Sequence, residues 1–337
     1  MSDNPSRLPG EILFGIGSAS RNVQALYVVA KLGVADHMTG DPTDSIQLAS
    51  KVGADPMALF RVMRSLAALG VFTQDSSDRF GLTPVSQLLR TDNPESMRDV
   101  AIYFGEEPYR AAAELLHTVM TGETAFNHVY GKGHFDYLAE HPEASKTFNA
   151  FMTQSARRFG RPLEHVNLDG KHLIVDVGGG RGTILAHILR TNPELKGILY
   201  DLPHGVAEAG SFLKENGVAD RCKIITGSFF DSVPEGGDVY LLSRILHDWP
   251  DETAQLILAN CRKAISHNGT LLIREAVIPE GDTPSPGKQT DLQMLIMLGG
   301  TERSEPEWRQ LLKKSKFELK TLTKTGGPFD LIYADPI

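Results

Sequence analysis

Two periods of apolar residues divide this chain. Up to about residue 165 the apolar positions recur at helical spacing, whereas from His172 onward short apolar runs alternate with helical segments, the pattern of a doubly wound sheet. In the first block Asp55 and Pro56 open a helix as cap and first-turn residue. Leu59, Val62, Met63, Leu66 and Leu69 form its apolar face, and Gly70 closes it. Val71-Phe72-Thr73 and Arg79-Phe80-Gly81-Leu82 flank the turn Asp75-Ser76-Ser77-Asp78 and predict a small hairpin, so that helix, helix and β-wing make a winged helix. Residues 14–32 include Ile16, Val23, Leu26, Tyr27, Val28 and Val29, more apolar surface than one small domain needs, which predicts packing on a second subunit. Helical segments follow around residues 109–120 and 143–159. In the latter Phe148, Phe151, Met152 and Phe159 read as a core stripe, from which Phe151 or Met152 could also line a pocket.

In the second block strands are expected near 172–177, 196–201, 222–226, 238–242 and 270–275, with helices near 182–190, 204–216 and 252–266. The first strand runs into Asp176-Val177-Gly178-Gly179-Gly180-Arg181-Gly182, a glycine turn followed at once by the helix-forming Thr183-Ile184-Leu185-Ala186. Such a turn can be a plain strand-to-helix connection. It also lets backbone approach a ligand, because glycine accepts positive φ and has no Cβ. Its spacing departs from the G-x-G-x-x-G of dinucleotide sites, with Thr183 in the place of the last glycine, which favours a ligand without a pyrophosphate. The second strand ends in Asp201, next to Leu202, and an acid there suits the two hydroxyls of a ribose. A nucleoside with a small charged tail fits, and S-adenosylmethionine is the candidate. The chain closes with Phe317-Glu318-Leu319-Lys320-Thr321-Leu322-Thr323, the turn residues Gly326-Gly327, and Phe329-Asp330-Leu331-Ile332-Tyr333-Ala334. An antiparallel hairpin ending a parallel sheet distinguishes a class I methyltransferase sheet from a dinucleotide-binding one. The expected fold class is α/β of that type, with an N-terminal, mainly α winged-helix dimerisation domain.

Beyond the third strand, Gly227-Ser228-Phe229-Phe230-Asp231 falls in the crevice where open sheets bind ligands; Phe229 can stack on an adenine, and Phe230 is expected to be the buried neighbour. After the fourth strand comes Ser243-Arg244-Ile245-Leu246-His247-Asp248-Trp249-Pro250. Together with Asp176-Val-Gly-Gly-Gly-Arg-Gly182, Tyr200-Asp-Leu-Pro203, Ile273-Arg-Glu275 and Gly299-Gly-Thr-Glu-Arg-Ser304, these motifs stand in the order of the cation-independent, small-molecule S-adenosylmethionine-dependent O-methyltransferases, which the chain resembles over nearly its whole length. That family includes plant caffeate and hydroxyindole methyltransferases and bacterial polyketide and antibiotic tailoring enzymes. The resemblance implies His247 as general base, Glu275 and Glu302 as flanking acids, and Asp201 as ribose ligand. It places Phe229 on adenine and the 178–182 turn, with Gly178 and Gly180, beside the methionine moiety. Asp176, Leu202, Ser228, Ser243 and Arg244 complete the expected cofactor set. Ser228 stands where the family usually has Asp, and Ser243 where many members have Lys; both hydroxyls can still hydrogen-bond the cofactor. The acceptor pocket is expected to draw on Phe151, Met152, Met294, Met297 and Leu298.

Asp248, Asp251 and Glu252 could suggest a metal, but Asp251 and Glu252 follow Pro250 at a helix start, where acids complement the dipole, so no metal is expected. Residues 1–100 carry nine basic against eleven acidic side chains, and the would-be recognition helix offers only Arg61 and Arg64. With a formal net charge of −8 for the whole chain, nucleic acid is not an expected partner. No apolar stretch approaches the ~18 residues of a membrane span, and no signal peptide opens the sequence, so the cytoplasm is the expected location. Cys222 and Cys261 have no metal or disulfide spacing and read as small buried apolar residues. The expected organisation is a dimerisation domain over 1–100, a helical bridge and pocket segment over 101–165, and a cofactor-binding domain over 166–337. It amounts to a homodimeric enzyme that methylates a hydroxyl, phenolic by expectation, of a small aromatic or polyketide-like molecule and releases S-adenosylhomocysteine. Two rival readings are a relative drifted to hydroxylation, decarboxylation or N-methylation, and a winged-helix regulator.

Overall fold

Asp55 accepts a hydrogen bond from the Ala58 amide at 2.8 Å and Pro56 occupies the first turn, so the helix Pro56–Ala68 begins where its cap chemistry dictates. The computed structural model describes residues 8–159, 166 and 168–337; the side chain of Phe159 and the expected boundary at residue 165 lie outside the described residues. The chain divides into two compact units, one of Met1–Arg110 with Glu143–Gln154, the other of Ala111–Pro142 with Ser155–Ile337.

In the first unit three short strands, β1 (Thr43–Asp44), β2 (Phe72–Gln74) and β3 (Arg79–Leu82), form an antiparallel sheet in the order β1-β3-β2 beside the helices Ser45–Val52 and Pro56–Ala68. This is the winged helix, closed over Leu48, Leu59, Met63, Leu66, Phe72 and Phe80. The leading helix Pro9–Lys31 buries Val29 and Ala30 but leaves Leu13, Phe14 and Ile16 about 70% exposed, at 72%, 74% and 69%. Three large apolar side chains in such a row exceed the scattered exposure that is ordinary on a surface. Phe151 stacks on Tyr103, ring centroids 4.2 Å apart, and Met152 is half-buried on the same helix, Pro142–Phe159.

The second unit is built on seven strands: β4 (Leu173–Val177), β5 (Lys196–Asp201), β6 (Cys222–Thr226), β7 (Val239–Ser243), β8 (Thr270–Glu275), β9 (Phe317–Thr323) and β10 (Asp330–Pro336), in the order β6-β5-β4-β7-β8-β10-β9. The first five pair in parallel; β10 runs antiparallel to both β8 and β9. The closing hairpin therefore inserts its second strand next to β8. The sheet is buried on both faces, and successive side chains alternate between them. Val175, Tyr240, Leu242, Leu271, Ile273 and Ile332 point to the face that also buries Ile257, Leu258, Trp308 and Leu311. Ile174, Leu199, Val239, Leu241, Leu272 and Leu331 point to the face covered by Leu185, Leu189, Phe212 and Leu213. Each such aliphatic residue contributes roughly 1.5–3 kcal/mol on burial, so the register is held firmly and the carboxyl ends of the strands are fixed points. Cys261 is buried as expected, whereas Cys222 is only half-buried, because β6 is an edge strand. The helix expected over 204–216 is shorter, Ala209–Glu215.

Candidate active site

The strand order turns outward in both directions from β4, and the crevice at such a switch point is where open α/β sheets bind ligands. The glycine turn lies there. Gly178, Gly180 and Gly182 have φ of 73°, 56° and 86°, the left-handed region that glycine enters without strain. The Gly178 amide donates to the Tyr200 carbonyl at 2.7 Å, tying the turn to the end of β5. Asp201 reaches across the same gap: its Oδ2 accepts from the Gly180 amide at 2.7 Å and its Oδ1 from the Leu202 amide at 2.6 Å. Burial raises its pKa, with those two amides pulling the other way. Asp176 is 1% exposed behind the turn, and its Oδ2 has no hydrogen-bond partner among the described residues. Burial, then the charge of Asp201, pushes Asp176 up to about 7. A Cβ on residue 180 would meet nothing within 4 Å, so backbone there faces open space. Open backbone, an acid held by amides and a buried unpartnered carboxylate fit a nucleoside with a charged tail.

The rest of the expected cofactor set stands at or just beyond the carboxyl ends of β5, β6 and β7. Leu202 is 38% exposed beside Asp201, and Ser228 Oγ accepts from the Phe230 amide at 3.2 Å. Phe229 is half-buried, its Cε1 3.5 Å from where a Cβ of Gly178 would lie. The expectation for Phe230 is corrected: it is 38% exposed and stands edge-on to Phe229 and Trp249, at 4.7 and 4.9 Å, while Phe229 is the one that joins the core. Ser243 accepts a 3.4 Å hydrogen bond from Arg274 Nη1. Arg244 sits at φ 58°, a conformation costing a non-glycine residue of order 1 kcal/mol or more, and its guanidinium lies 5.1 Å from the Phe329 ring.

His247 lies in the short 3₁₀ turn Leu246–Asp248 after β7 and is 2% exposed. Its Nδ1 is 2.7 Å from Glu302 Oε1 and 3.7 Å from Glu275 Oε2; its Nε2 is 3.3 Å from Asp248 Oδ1. Glu275, at the end of β8, is fully buried, and its Oε1 accepts from the amides of Ile245, Leu246 and His247 at 2.9, 3.0 and 3.4 Å. This carboxylate shapes the turn that presents the imidazole. Burial raises Glu275 above the usual carboxylate range, takes Asp248 to about 6, and pushes Glu302 up to about 8, with the Arg244 charge opposing it. The ligand atoms of His247, Glu275 and Glu302 lie within 4.8 Å of one another, near enough for a divalent ion. One oxygen of each acid is already engaged, by backbone amides on Glu275 and by the imidazole on Glu302.

Three further residues hold this arrangement, and single-sequence patterning gave them no role. Gly300 is buried against the turn, so that a Cβ on it would lie 2.0 Å from the His247 carbonyl oxygen. Arg303, 2% exposed, donates to the carbonyls of Leu246, Trp249 and Thr301 and to Asp251. Asp291 Oδ1 accepts from the Glu302 amide at 2.9 Å and from the Thr301 hydroxyl at 3.2 Å. Apart from the bond of Arg303 to Thr301, each contact joins segments at least ten residues apart, and the Arg303 contacts to Leu246, Trp249 and Asp251 span more than fifty. The expected acceptor-pocket residues of this unit lie on or just after the helix Pro286–Met297: Met294 and Met297 are buried, and Met297 and Leu298 pack with Ala111, Ala125, Phe126 and Ile296.

Residues 112–318 match the O-methyltransferase domain family, and residues 17–92 match the O-methyltransferase dimerisation domain. The chain belongs to the O-methyltransferase family, and it is an S-adenosylmethionine-dependent enzyme of that family. Among its relatives, the phenazine O-methyltransferase PhzM of Lysobacter antibioticus is 45% identical over 319 residues, 93% of this chain and 92% of that one. The crystal structure of LaPhzM superposes with a TM-score of 0.94 at 43% identity, covering 98% of this chain and all of that chain. NcsB1, an O-methyltransferase from neocarzinostatin biosynthesis solved with S-adenosylmethionine and 2-hydroxy-5-methyl naphthoic acid, has a TM-score of 0.83 at 29% identity, covering 94% and 96% of the two chains. Replacing Asp201 by Ala is expected to weaken S-adenosylhomocysteine binding by about 1.5–3 kcal/mol, the usual loss of charge-assisted hydrogen bonds. Titration calorimetry checks it; unchanged affinity would remove Asp201 from the cofactor site.

Proposed function

We propose that this protein, as a homodimer, methylates a phenolic hydroxyl of a flat, small aromatic or polyketide-like molecule, with His247 as general base. The 2.7 Å contact between His247 Nδ1 and Glu302 Oε1 carries the reading. A carboxylate that accepts from Nδ1–H leaves the lone pair on Nε2, and it favours the imidazolium formed when that lone pair takes a proton. S-adenosylmethionine, when bound, supplies an electrophilic methyl on a sulfonium and leaves as S-adenosylhomocysteine. Asp201 and Leu202 would hold its ribose side and Phe229 its adenine. Asp176, Gly178, Gly180, Ser228, Ser243 and Arg244 would hold the remainder. A phenol of pKa ~10 is mostly neutral at pH 7, and an imidazole within hydrogen-bond reach can remove its proton as charge moves to the methyl group. Displacement at the methyl requires the oxygen lone pair in line with the breaking bond, so positioning supplies much of the rate. Met294, Met297 and Leu298 are proposed to line the acceptor's pocket; thioethers adapt to flat rings.

The names of the relatives support fused aromatic acceptors. Incubation with isotopically labelled S-adenosylmethionine and a panel of hydroxylated phenazines, naphthoates and simple phenols, read by mass spectrometry, should give one O-methylated product. Labelled methyl on nitrogen, or no labelled product across the panel, would contradict the reading. Because one oxygen of Glu275 and one of Glu302 are already engaged within the protein, a chelator should leave the rate unchanged.

The homodimer rests on the dimerisation-domain match and on the row of exposed Leu13, Phe14 and Ile16. Light scattering should give twice the chain mass of 36.9 kDa. A fully active monomer at assay concentration would overturn it.

A further inference from the structure

The geometry points to a second site, unrelated to methyl transfer: we propose that His117, Glu123 and His128 bind a divalent transition ion of the zinc class. The three residues stand on one helix–turn–helix. His117 is on the helix Leu115–Thr121 and His128 on the helix Ala125–Tyr130, with Glu123 in the turn between them. Their imidazoles are stacked, centroids 3.7 Å apart and planes 15° from parallel. His117 Nε2 lies 2.9 Å from Glu123 Oε2. One ligand atom from each residue falls within 4.8 Å of the other two. A tetrahedral zinc with bonds of ~2.0–2.2 Å separates its ligand atoms by roughly 3.4 Å, so small side-chain rotations complete the set and leave a fourth position for water.

The turn is fixed before any ion arrives. Gly122 stops the first helix in the left-handed conformation, the Thr121 hydroxyl accepts from the Glu123 amide at 3.2 Å and donates to the His117 carbonyl at 2.8 Å, and Thr124 caps the second helix through the Asn127 amide. Two imidazoles and one carboxylate suit zinc, copper or nickel and not magnesium or calcium, which take oxygen ligands. His117 is half-buried, and Glu123 and His128 are exposed, so an ion reaches them without unfolding. The site is also placed to act on the fold: Ala125 and Phe126 of the second helix pack on Ile296 and Met297, and a Cβ on Gly299 would lie 3.2 Å from Thr124. An ion there clamps two short helices against the helix Pro286–Met297.

The test uses full-length protein freed of any affinity tag and titrated with Co²⁺, whose tetrahedral complexes absorb strongly in the visible. One ion per chain with that spectrum is expected, displaced by Zn²⁺, together with a rise in Tm on adding Zn²⁺. His117→Ala and His128→Asn should each weaken binding at least tenfold, since even loss of a residue supporting a ligand costs roughly 10–100-fold. Far-UV circular dichroism confirms that both variants fold. His247→Ala should leave the spectrum intact, which separates this site from the buried cluster. No tetrahedral spectrum at micromolar Co²⁺ would overturn the proposal. So would a spectrum that survives in the double variant of His117 and His128, or one that disappears with His247.

Discussion

His247→Ala should lower kcat by roughly 10²–10⁴-fold while S-adenosylhomocysteine affinity stays within about twofold of the wild type. The two quantities separate because the residues proposed for the cofactor hang from the ends of β4 to β7 and from the glycine turn, whereas the imidazole sits in the following 3₁₀ turn, facing Asp248, Glu275 and Glu302. Glu302→Gln should cost less than His247→Ala, since an amide oxygen can still accept from Nδ1 but brings no charge to offset an imidazolium. Glu275→Gln should cost less as well, though it also weakens the acceptor for three backbone amides. A double variant of His247 and Glu302 should be hardly worse than His247→Ala alone, because groups acting as one unit are not additive. Steady-state kinetics with calorimetry of the cofactor product would settle each comparison. Equal and additive losses in all variants would describe a structural cluster and not a base with its supports.

Gly300→Ala should be nearly as damaging, although Gly300 touches neither substrate in this account. Its Cβ would lie 2.0 Å from the His247 carbonyl oxygen and 2.4 Å from the Asp248 carbonyl carbon. Both are backbone atoms, so no side chain can swing aside. The loop must retreat by about 1 Å or more, and it carries the Thr301 amide, which donates to the His247 carbonyl at 2.9 Å, and then Glu302 itself. A misplacement of about 1 Å at a catalytic group costs on the order of 10²-fold in rate, and overpacking a buried contact costs roughly 1–3 kcal/mol of stability. The expected result is a kcat at least about 10² below wild type, a lower Tm and a retained affinity for S-adenosylhomocysteine. Wild-type kcat in Gly300→Ala would show that the His247–Glu302 contact does not set the rate.

Much of this was legible in the sequence because its signals are local. Strands β4 to β8 fall within about one residue of the expected runs, since a parallel strand buried on both faces is a continuous apolar run bounded by turn residues. The glycine turn, Asp201 and His247 stand at or just beyond the ends of those runs, at the carboxyl edge of the sheet. The closing hairpin was legible from its turn glycines, and its antiparallel sense from the shortness of that turn. What escaped depends on pairs far apart in the chain. Arg303 has the composition of a solvated loop arginine, and only the fold reveals that it is buried on the Leu246 and Trp249 carbonyls. Gly300 and Asp291 are silent for the same reason. Phe230 departs from its expected buried place because alternation along the chain says only that two adjacent rings differ, and not which of them the rest of the fold covers. His117 and His128 carry no signal in the sequence because they stand on two helices, and only the turn between those helices brings the imidazoles together.

The most direct measurement is the pH dependence of kcat for wild type and His247→Ala on one phenolic acceptor. The variant should rise about tenfold per pH unit, because phenolate forms unaided as the acceptor's own pKa of ~10 is approached, and the gap to wild type should close. In the wild type, burial pushes Glu302 up to about 8, so only part of it is carboxylate at neutral pH. The carboxylate that pairs with imidazolium is therefore gained as pH rises through that value, and the rate should climb with it. A His247→Ala enzyme as fast as wild type at neutral pH, with no dependence on pH, would leave positioning alone as the source of the rate and contradict the assignment of His247 as the base.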